Sequence, residues 1–185
     1  MERLEIHTKR LRIRNLKLSD LKDFHFYRSN PEVVKFQGFD VKNLEECREF
    51  IRTQMHQLFG KPMEWVQYGI EKLENNKLIG DCAIKISSND EGTASIGITL
   101  SPKEQNKGYA KEVMLGILHF LFEQQNVHRV VETLITNNIS SEKLVLSIGF
   151  RKEGIFLESS FVEDKWIDSL QYAMLKKEWK KLKHY

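Results

Sequence analysis

Apolar and basic side chains alternate along residues 8–14 (TKRLRIR), the period-two pattern of a half-buried strand. Ser19 and Asp20 then form a helix N-cap region ahead of Leu21, Phe24 and Phe26. Asn30-Pro31 signals a turn. Residues 45–59 set Phe50, Ile51, Met55, Leu58 and Phe59 on one helical stripe. Three strands follow at 65–73, 78–87 and 94–100, separated by an Asn75-Asn76 hairpin turn and a turn at 88–92, with Pro102 ending the run. From Gly108 the period becomes helical, with Ala110, Val113, Met114, Ile117, Leu118 and Leu121 on one face. Residues 129–135 read as a buried strand and 140–148 as a short helix closed by Gly149. Residues 150–161 and 166–175 read as a closing antiparallel pair that turns near Glu163-Asp164.

This order, β-α-α-β-β-β-α-β-α-β-β, describes an α/β (α+β) domain with a mixed, mostly antiparallel sheet flanked by helices. The strand–helix–strand unit at 94–135 calls for two parallel strands joined by a right-handed crossover. The strand at 166–175 is expected at an exposed edge, where it would allow a homodimer as well as a monomer.

With 185 residues the chain has the length of one domain, 1–185, carrying a basic tail at 176–185. Hydrophobic residues at 41% and charged residues at 30% are ordinary for a globular chain and argue against disorder. Cys47 and Cys82 offer neither a disulfide framework nor a metal knuckle, and six histidines without ligand spacing point to no metal. The start of the chain is charged and lacks an apolar core segment, so no signal peptide and no membrane span is expected, and a cytoplasmic location follows. The net charge of +3 sits in the tail: its ten residues hold five lysines and one glutamate, and the rest has 24 basic against 25 acidic side chains. A nearly neutral body gives no reason to invoke nucleic acid. The tail lysines suit a helix C-terminus.

The segment richest in chemistry is 95–111, SIGITLSPKEQNKGYAK. Gln105, Asn106, Lys107, Gly108, Tyr109 and Ala110 form a Q-x-x-G-x-A turn between a strand and a long helix. A helix N-terminus carries unpaired N–H groups and the positive end of the dipole, so it suits a phosphate. Gly108 admits close backbone approach, Ala110 keeps the first turn narrow, and Lys107 and Lys111 add charge. The pattern is neither a Walker loop nor a dinucleotide fingerprint. The alternative is a plain loop in which Gly108 only permits a turn.

The run from Ser95 to Ala110 resembles the acyl-CoA-binding motif of the GNAT superfamily of N-acetyltransferases, in which a strand passes through L-x-P into Q/R-x-x-G-x-G/A. More narrowly, the chain resembles the RimJ/RimL-type branch. The 8–14 strand is similar to its T-x-R-L-x-L-R opening, and Asn30-Pro31-Glu32-Val33 to its N-P-E-V segment. Asn138-Ile139-Ser140-Ser141 with Gly149-Phe150 and Glu153-Gly154 is similar to its N-x-x-S…GF-x-x-EG motif. Trp166, Asp168, Tyr172, Met174, Leu175, Glu178 and Trp179 match its W-x-D…Y-x-M-L…EW ending. The resemblance spans about residues 8–179.

The resemblance implies a GNAT acyl-CoA N-acyltransferase fold with a splayed central parallel pair, here 94–100 and 129–135, and a β-bulge in the first of these. It implies acetyl-CoA as co-substrate and a primary amine as acceptor, joined by direct attack without a covalent enzyme intermediate. The backbone of Ile98, Thr99 and Leu100 would pair with the pantetheine arm, and the Leu100 N–H or a neighbour would polarise the thioester carbonyl. Residues Gln105 to Lys111 would hold the diphosphate, with Asn138 and Ser141 beside the arm and sulfur. Two features of many relatives are missing: Ser95 stands where they carry a glutamate base, and Val145 where they carry a tyrosine acid. Ser141 is the remaining candidate acid, though it also suits a helix N-terminal position that satisfies backbone. Glu158 is the candidate base, against the reading of a solvated strand charge, with Glu71 and Asp81 behind it. Glu153 and Asp168 suit pairing with arginine or backbone, while Trp65 and Tyr68 could line an acceptor pocket and the three tryptophans suit packing. Three functions remain: acetylation of a protein N-terminus, acetylation of a small amine such as an amino sugar, an antibiotic or a polyamine, and a CoA-binding regulatory module without turnover.

Overall fold

The computed structural model describes residues 3–36, 42–87, 92–162 and 164–182. The turn expected at 88–92 therefore lies outside the described residues except for Gly92, as do Glu163 and the end of the basic tail.

A hairpin of β1 (Glu5–His7) and β2 (Leu11–Asn15) opens the chain. A single strand was expected over 8–14, but Thr8 starts the turn instead. Its N–H donates to the Leu11 carbonyl at 2.9 Å, and its hydroxyl accepts the Leu11 N–H at 3.1 Å. A threonine side chain that bonds local backbone competes with the ladder.

Three helices follow: α1 (Leu21–Arg28), α2 (Pro31–Val34) and α3 (Leu44–Gln54). Asp20 does not cap α1, because its carboxylate is taken by Arg14 and by the Lys17 N–H. Asn30 caps one helical turn where only a turn was expected. Asn43 and Glu46 form a reciprocal capping box on α3. That helix stops before the expected stripe is complete, and the chain leaves it to seat Phe59 edge-on against Phe120, ring centroids 4.9 Å apart.

The sheet continues through β3 (Val66–Lys72), β4 (Leu78–Ile86) and β5 (Thr93–Leu100). Asn76 takes the left-handed φ of 57° in the β3–β4 turn, as the Asn-Asn pair implied. Next come α4 (Tyr109–His119), which runs on as a π-helical turn over Phe120–Gln124, then β6 (Arg129–Ile135) and α5 (Ile139–Ile148). Gly149 ends α5 at φ 104°, a conformation few L residues tolerate. β7 (Arg151–Val162), β8 (Lys165–Leu175) and the single turn α6 (Lys176–Trp179) close the described chain.

Among the described residues, eight strands make one sheet in the order β1-β2-β3-β4-β5-β6-β8-β7. Each neighbouring strand pair is antiparallel except β5 with β6. This is the mixed, mostly antiparallel architecture with one central parallel pair that the resemblance implies. Contrary to expectation, the strand at 165–175 is internal and β7 is the edge, because β8 returns between β6 and β7. One sheet face packs Val113, Met114, Ile117 and Leu121 with Val145 and Ile148, and a smaller cluster on the other face joins Phe24, Tyr27, Cys47 and Ile51. Trp179 is buried as expected, whereas Trp65 and Trp166 are 46% and 62% exposed. Among the described residues no helix is long and apolar enough to cross a membrane.

Candidate active site

β5 and β6 pair through only three residues each: Thr93 with Arg129, Ala94 with Val130, and Ser95 with Val131. Beyond Ser95 they part, although β5 stays paired with β4 as far as Leu100. The β4–β5 register runs without a shift, so the bulge implied by the resemblance is absent and the fork arises from divergence alone.

Strand geometry shows which backbone groups face the opening. The Ser87 N–H donates to the Thr93 carbonyl, and the Ser101 N–H to the Ile79 carbonyl, both at 2.9 Å. The odd-numbered residues of β5 therefore turn their polar groups to β4. The even-numbered ones, Ile96, Ile98 and Leu100, turn theirs toward β6, which has moved away from Ile98 and Leu100. The Leu100 carbonyl is partly answered by Gln105 Nε2 at 3.1 Å. Thr99, predicted to be on this edge, instead faces Asp81 of β4 because strand polarity alternates residue by residue.

The loops that leave both parallel strands enter helices, so the N-termini of α4 and α5 lie at the same end of the fork. Gly108 opens α4 with φ 78°, and Asn106 before it has φ 60°. The first helical bond runs from the Glu112 N–H to the Gly108 carbonyl at 3.1 Å. The amides of Tyr109, Ala110 and Lys111 thus have no intrahelical acceptor. Lys107 and Lys111 are exposed beside this turn, and Lys111 Nζ reaches the Ser147 carbonyl of α5 at 3.3 Å.

A brace that sequence reasoning missed holds this turn. Glu112 accepts the Thr8 hydroxyl at 2.7 Å, the Arg10 amide at 2.7 Å and Arg10 Nε at 2.6 Å. The Arg10 guanidinium also donates to the Lys107 carbonyl at 3.2 Å and lies 4.4 Å from the Tyr109 ring centroid. One exposed ion pair is worth only about 0–1 kcal/mol, so the hold comes from several bonds converging on one carboxylate. Burial alone would raise the Glu112 carboxyl, but Thr8 and Arg10 bring it below its ordinary range. Glu104 is likewise bound by Lys72 at 3.1 Å and Lys107 at 3.0 Å. The signal was the T-x-R start of the 8–14 segment, which predicted a strand and not a clamp.

At the second helix, Asn138 caps α5 by accepting the Ser141 N–H at 3.2 Å. The half-buried Ser141 hydroxyl makes no hydrogen bond among the described residues. Val145 is 1% exposed and packs in the core.

The predicted carboxylates lie apart from one another. Glu158 is exposed on β7 at a register shift, with φ 45°, and its N–H donates to Asp168 Oδ1 at 2.8 Å. Glu153 is bound by Arg129 and Arg151, and the Arg129 hydrogen bond brings its carboxyl down to about 2. Glu71 is clasped by Arg12 and Arg14. Asp81, fully buried, takes bonds from Tyr27 at 2.7 Å, from Arg28 and from Gln67. Both serve buried ion-pair networks on the α1–α3 side. Tyr68 is wholly buried and Trp65 carries Lys85 over its ring. Both thiols are buried, and burial pushes them up, which suits the absence of a nucleophilic role.

Comparison with known proteins adds a second line of observation. The model of the acetyltransferase (GNAT) domain matches residues 10–151. An uncharacterized N-acetyltransferase of Bacillus subtilis, YnaD, is 31% identical over 176 residues, 95% of this chain and 99% of its own. A GNAT-family acetyltransferase from Bacillus anthracis superposes with a TM-score of 0.84 at 29% identity, over 95% of this chain and 100% of that one. The spermidine N-acetyltransferase of Vibrio cholerae, solved with CoA and spermine, shares the fold with a TM-score of 0.78 at 21% identity, over 92% and 98% of the two chains. The ribosomal protein uS5-alanine N-acetyltransferase of Escherichia coli is 25% identical over 84 residues, 45% of this chain and 43% of its own.

Proposed function

The chain belongs to the GNAT acetyltransferase family, and from this premise we propose that residues 1–185 are one domain that transfers the acetyl group of acetyl-CoA to a primary amine within a ternary complex. The observation that carries the proposal is the fork. Ile98 and Leu100 present backbone groups to an opening that lies beside the uncapped amides of α4.

The Tyr109, Ala110 and Lys111 amides receive the diphosphate, with Lys107 and Lys111 adding charge and Gln105 and Asn106 shaping the turn. The amide-bearing arm then lies against Ile98 and Leu100 as an added strand. Asn138 and Ser141 border it from α5. The arm descends from the helix N-terminus, so its thioester end reaches deepest into the fork. There the Ile98 N–H is placed to polarise the thioester carbonyl as charge builds on its oxygen.

An amine with a pKa near 10 must lose its proton before it attacks, and water carries that proton away. The leaving thiol, near 8.5, is the easier partner. Most of the acceleration comes from holding both reactants in line. Glu158 stands level with the end of β6 but two strands away, roughly 10 Å at the usual strand spacing. In this reading its part is to attract a cationic acceptor rather than to touch the amine.

The RimJ/RimL-like motifs and the uS5-alanine relative support a protein N-terminus as acceptor, and the spermidine relative supports a polyamine. The test is release of free CoA thiol from acetyl-CoA over a panel of N-terminal peptides and polyamines, alongside calorimetry with CoA. Saturable, amine-dependent thiol release is expected. Tight CoA binding with no release by any amine would favour a non-catalytic module, and no CoA binding at all would end the proposal.

A further inference from the structure

The first residue of β6 beyond the last pairing with β5 is Glu132. Its side chain is 95% buried by the 5% exposure of the residue, and its Oε1 has no hydrogen-bond partner. A charged side chain is seldom buried without a partner, so this position calls for a reason.

The register shows which way it faces. Glu132 opposes Tyr172 of β8, and opposed residues share a sheet face. The Tyr172 hydroxyl donates to Glu142 of α5, so that face is the one covered by α4 and α5. Glu132 therefore lies on the side of Val130 and of Ile96, the β5 residue level with it where the strands have just separated. The titratable groups on this side include Tyr172, Tyr68 and Cys82 of the sheet, Glu142 of α5 and Glu112 of α4, the last held by Thr8 and Arg10, while α4 contributes Val113, Met114 and Ile117 to the core. Among the described residues no cation pairs with Glu132. Burial holds the carboxyl well above its ordinary range, which favours the protonated, neutral form.

The next step rests on the reading above, in which the thioester end of the carrier reaches the bottom of the fork. We propose that the Glu132 carboxyl is the proton donor to the departing CoA thiolate. The amine nitrogen bonds to the thioester carbonyl carbon, and the C–S bond breaks with its electron pair going to sulfur. The Glu132 proton passes to sulfur and gives the free thiol. The ammonium loses one proton to water before it attacks, and the nitrogen loses a second as the amide forms. One of the two returns through solvent to the Glu132 carboxylate and the other is released, so ammonium and thioester become amide, thiol and one free proton. This supplies the acid that Val145 cannot. Ser141 keeps a hydrogen-bonding role, since an alkyl hydroxyl is a far weaker acid than a carboxyl.

Glu132→Gln keeps the shape and removes the acid. In neutral buffer, infrared difference spectra between the wild type and E132Q are expected to show a protonated-carboxyl band that the variant lacks. At saturating amine, E132Q is expected to lose about 100-fold in kcat while CoA affinity stays within about threefold, and its kcat should lose the decline at alkaline pH that the wild type shows. Thermal melting verifies that the variant is folded. An undiminished kcat, an equal loss of CoA affinity and turnover, or the absence of the protonated band would each overturn the role. Failure of the wild type to bind CoA would instead remove the carrier reading, and this role with it.

Discussion

Two glutamates show how much a carboxyl depends on its surroundings. Glu112 and Glu132 are the same residue type on the same side of the sheet, yet their protons are held in opposite ways. Burial disfavours charge on both, but Thr8 and Arg10 outweigh it at Glu112, whereas nothing offsets it at Glu132. The signs for stability follow. Glu112, with a lowered folded value, contributes stability that is present above the ordinary 4.5 and lost as pH falls through the folded value. Glu132 is raised, so the folded state holds its proton while the unfolded chain releases it, and stability falls as pH climbs above 4.5. Melting curves of E112Q and E132Q should therefore diverge. The deficit of E112Q should shrink in acid, and the advantage of E132Q over the wild type should grow between pH 5 and 8. Parallel pH profiles for the two variants would remove this assignment. A carboxyl retained despite a stability cost is what a working acid requires.

At the scale of the element, the fork turns a general property of strands into a residue-by-residue expectation. The Thr99 amide belongs to the β4 ladder, while the Ile98 and Leu100 amides face the opening. In the free protein, hydrogen exchange should be slow at Thr99 and fast at Ile98 and Leu100, and CoA should slow the latter two by at least tenfold, about 1.4 kcal/mol of added protection. Uniform protection along β5, with or without CoA, would mean that the opening is closed or that the carrier docks elsewhere. The elements themselves were legible because apolar periodicity reports on burial. The long helix from Gly108, the β3–β4 hairpin and the Gly149 stop all appear where their side chains imply. What was not legible depends on contacts distant in sequence. Thr8 becomes a turn because its hydroxyl finds local backbone and Glu112. α3 ends early because Phe59 has a place against Phe120. The strand at 166–175 cannot be known as internal until β7 is seen outside it. The anion-facing turn was visible as a motif, but Glu132 was not, since a glutamate in an apolar strand looks like a surface charge until the register puts it indoors.

The described residues form a single sheet whose middle is held by three residue pairs between β5 and β6, with helices on both faces. A ligand that fills the gap joins the β1–β5 side to the β6–β8 side, so its binding should register as global stability rather than as local order alone. At a concentration 100 times Kd, a ligand specific for the folded state adds about 2.7 kcal/mol. For a chain of this size that is a rise in Tm of about 5–10 °C. Pantetheine alone, which lacks the diphosphate, should give a smaller rise at equal concentration, because it forgoes the α4 amides and the exposed Lys107 and Lys111. The difference between the two ligands should narrow as salt is raised, since exposed lysines are screened over about 8–10 Å near physiological ionic strength. Pantetheine and CoA stabilising equally at low salt would show that the helix N-terminus contributes nothing, leaving the fork as a slot for the arm alone.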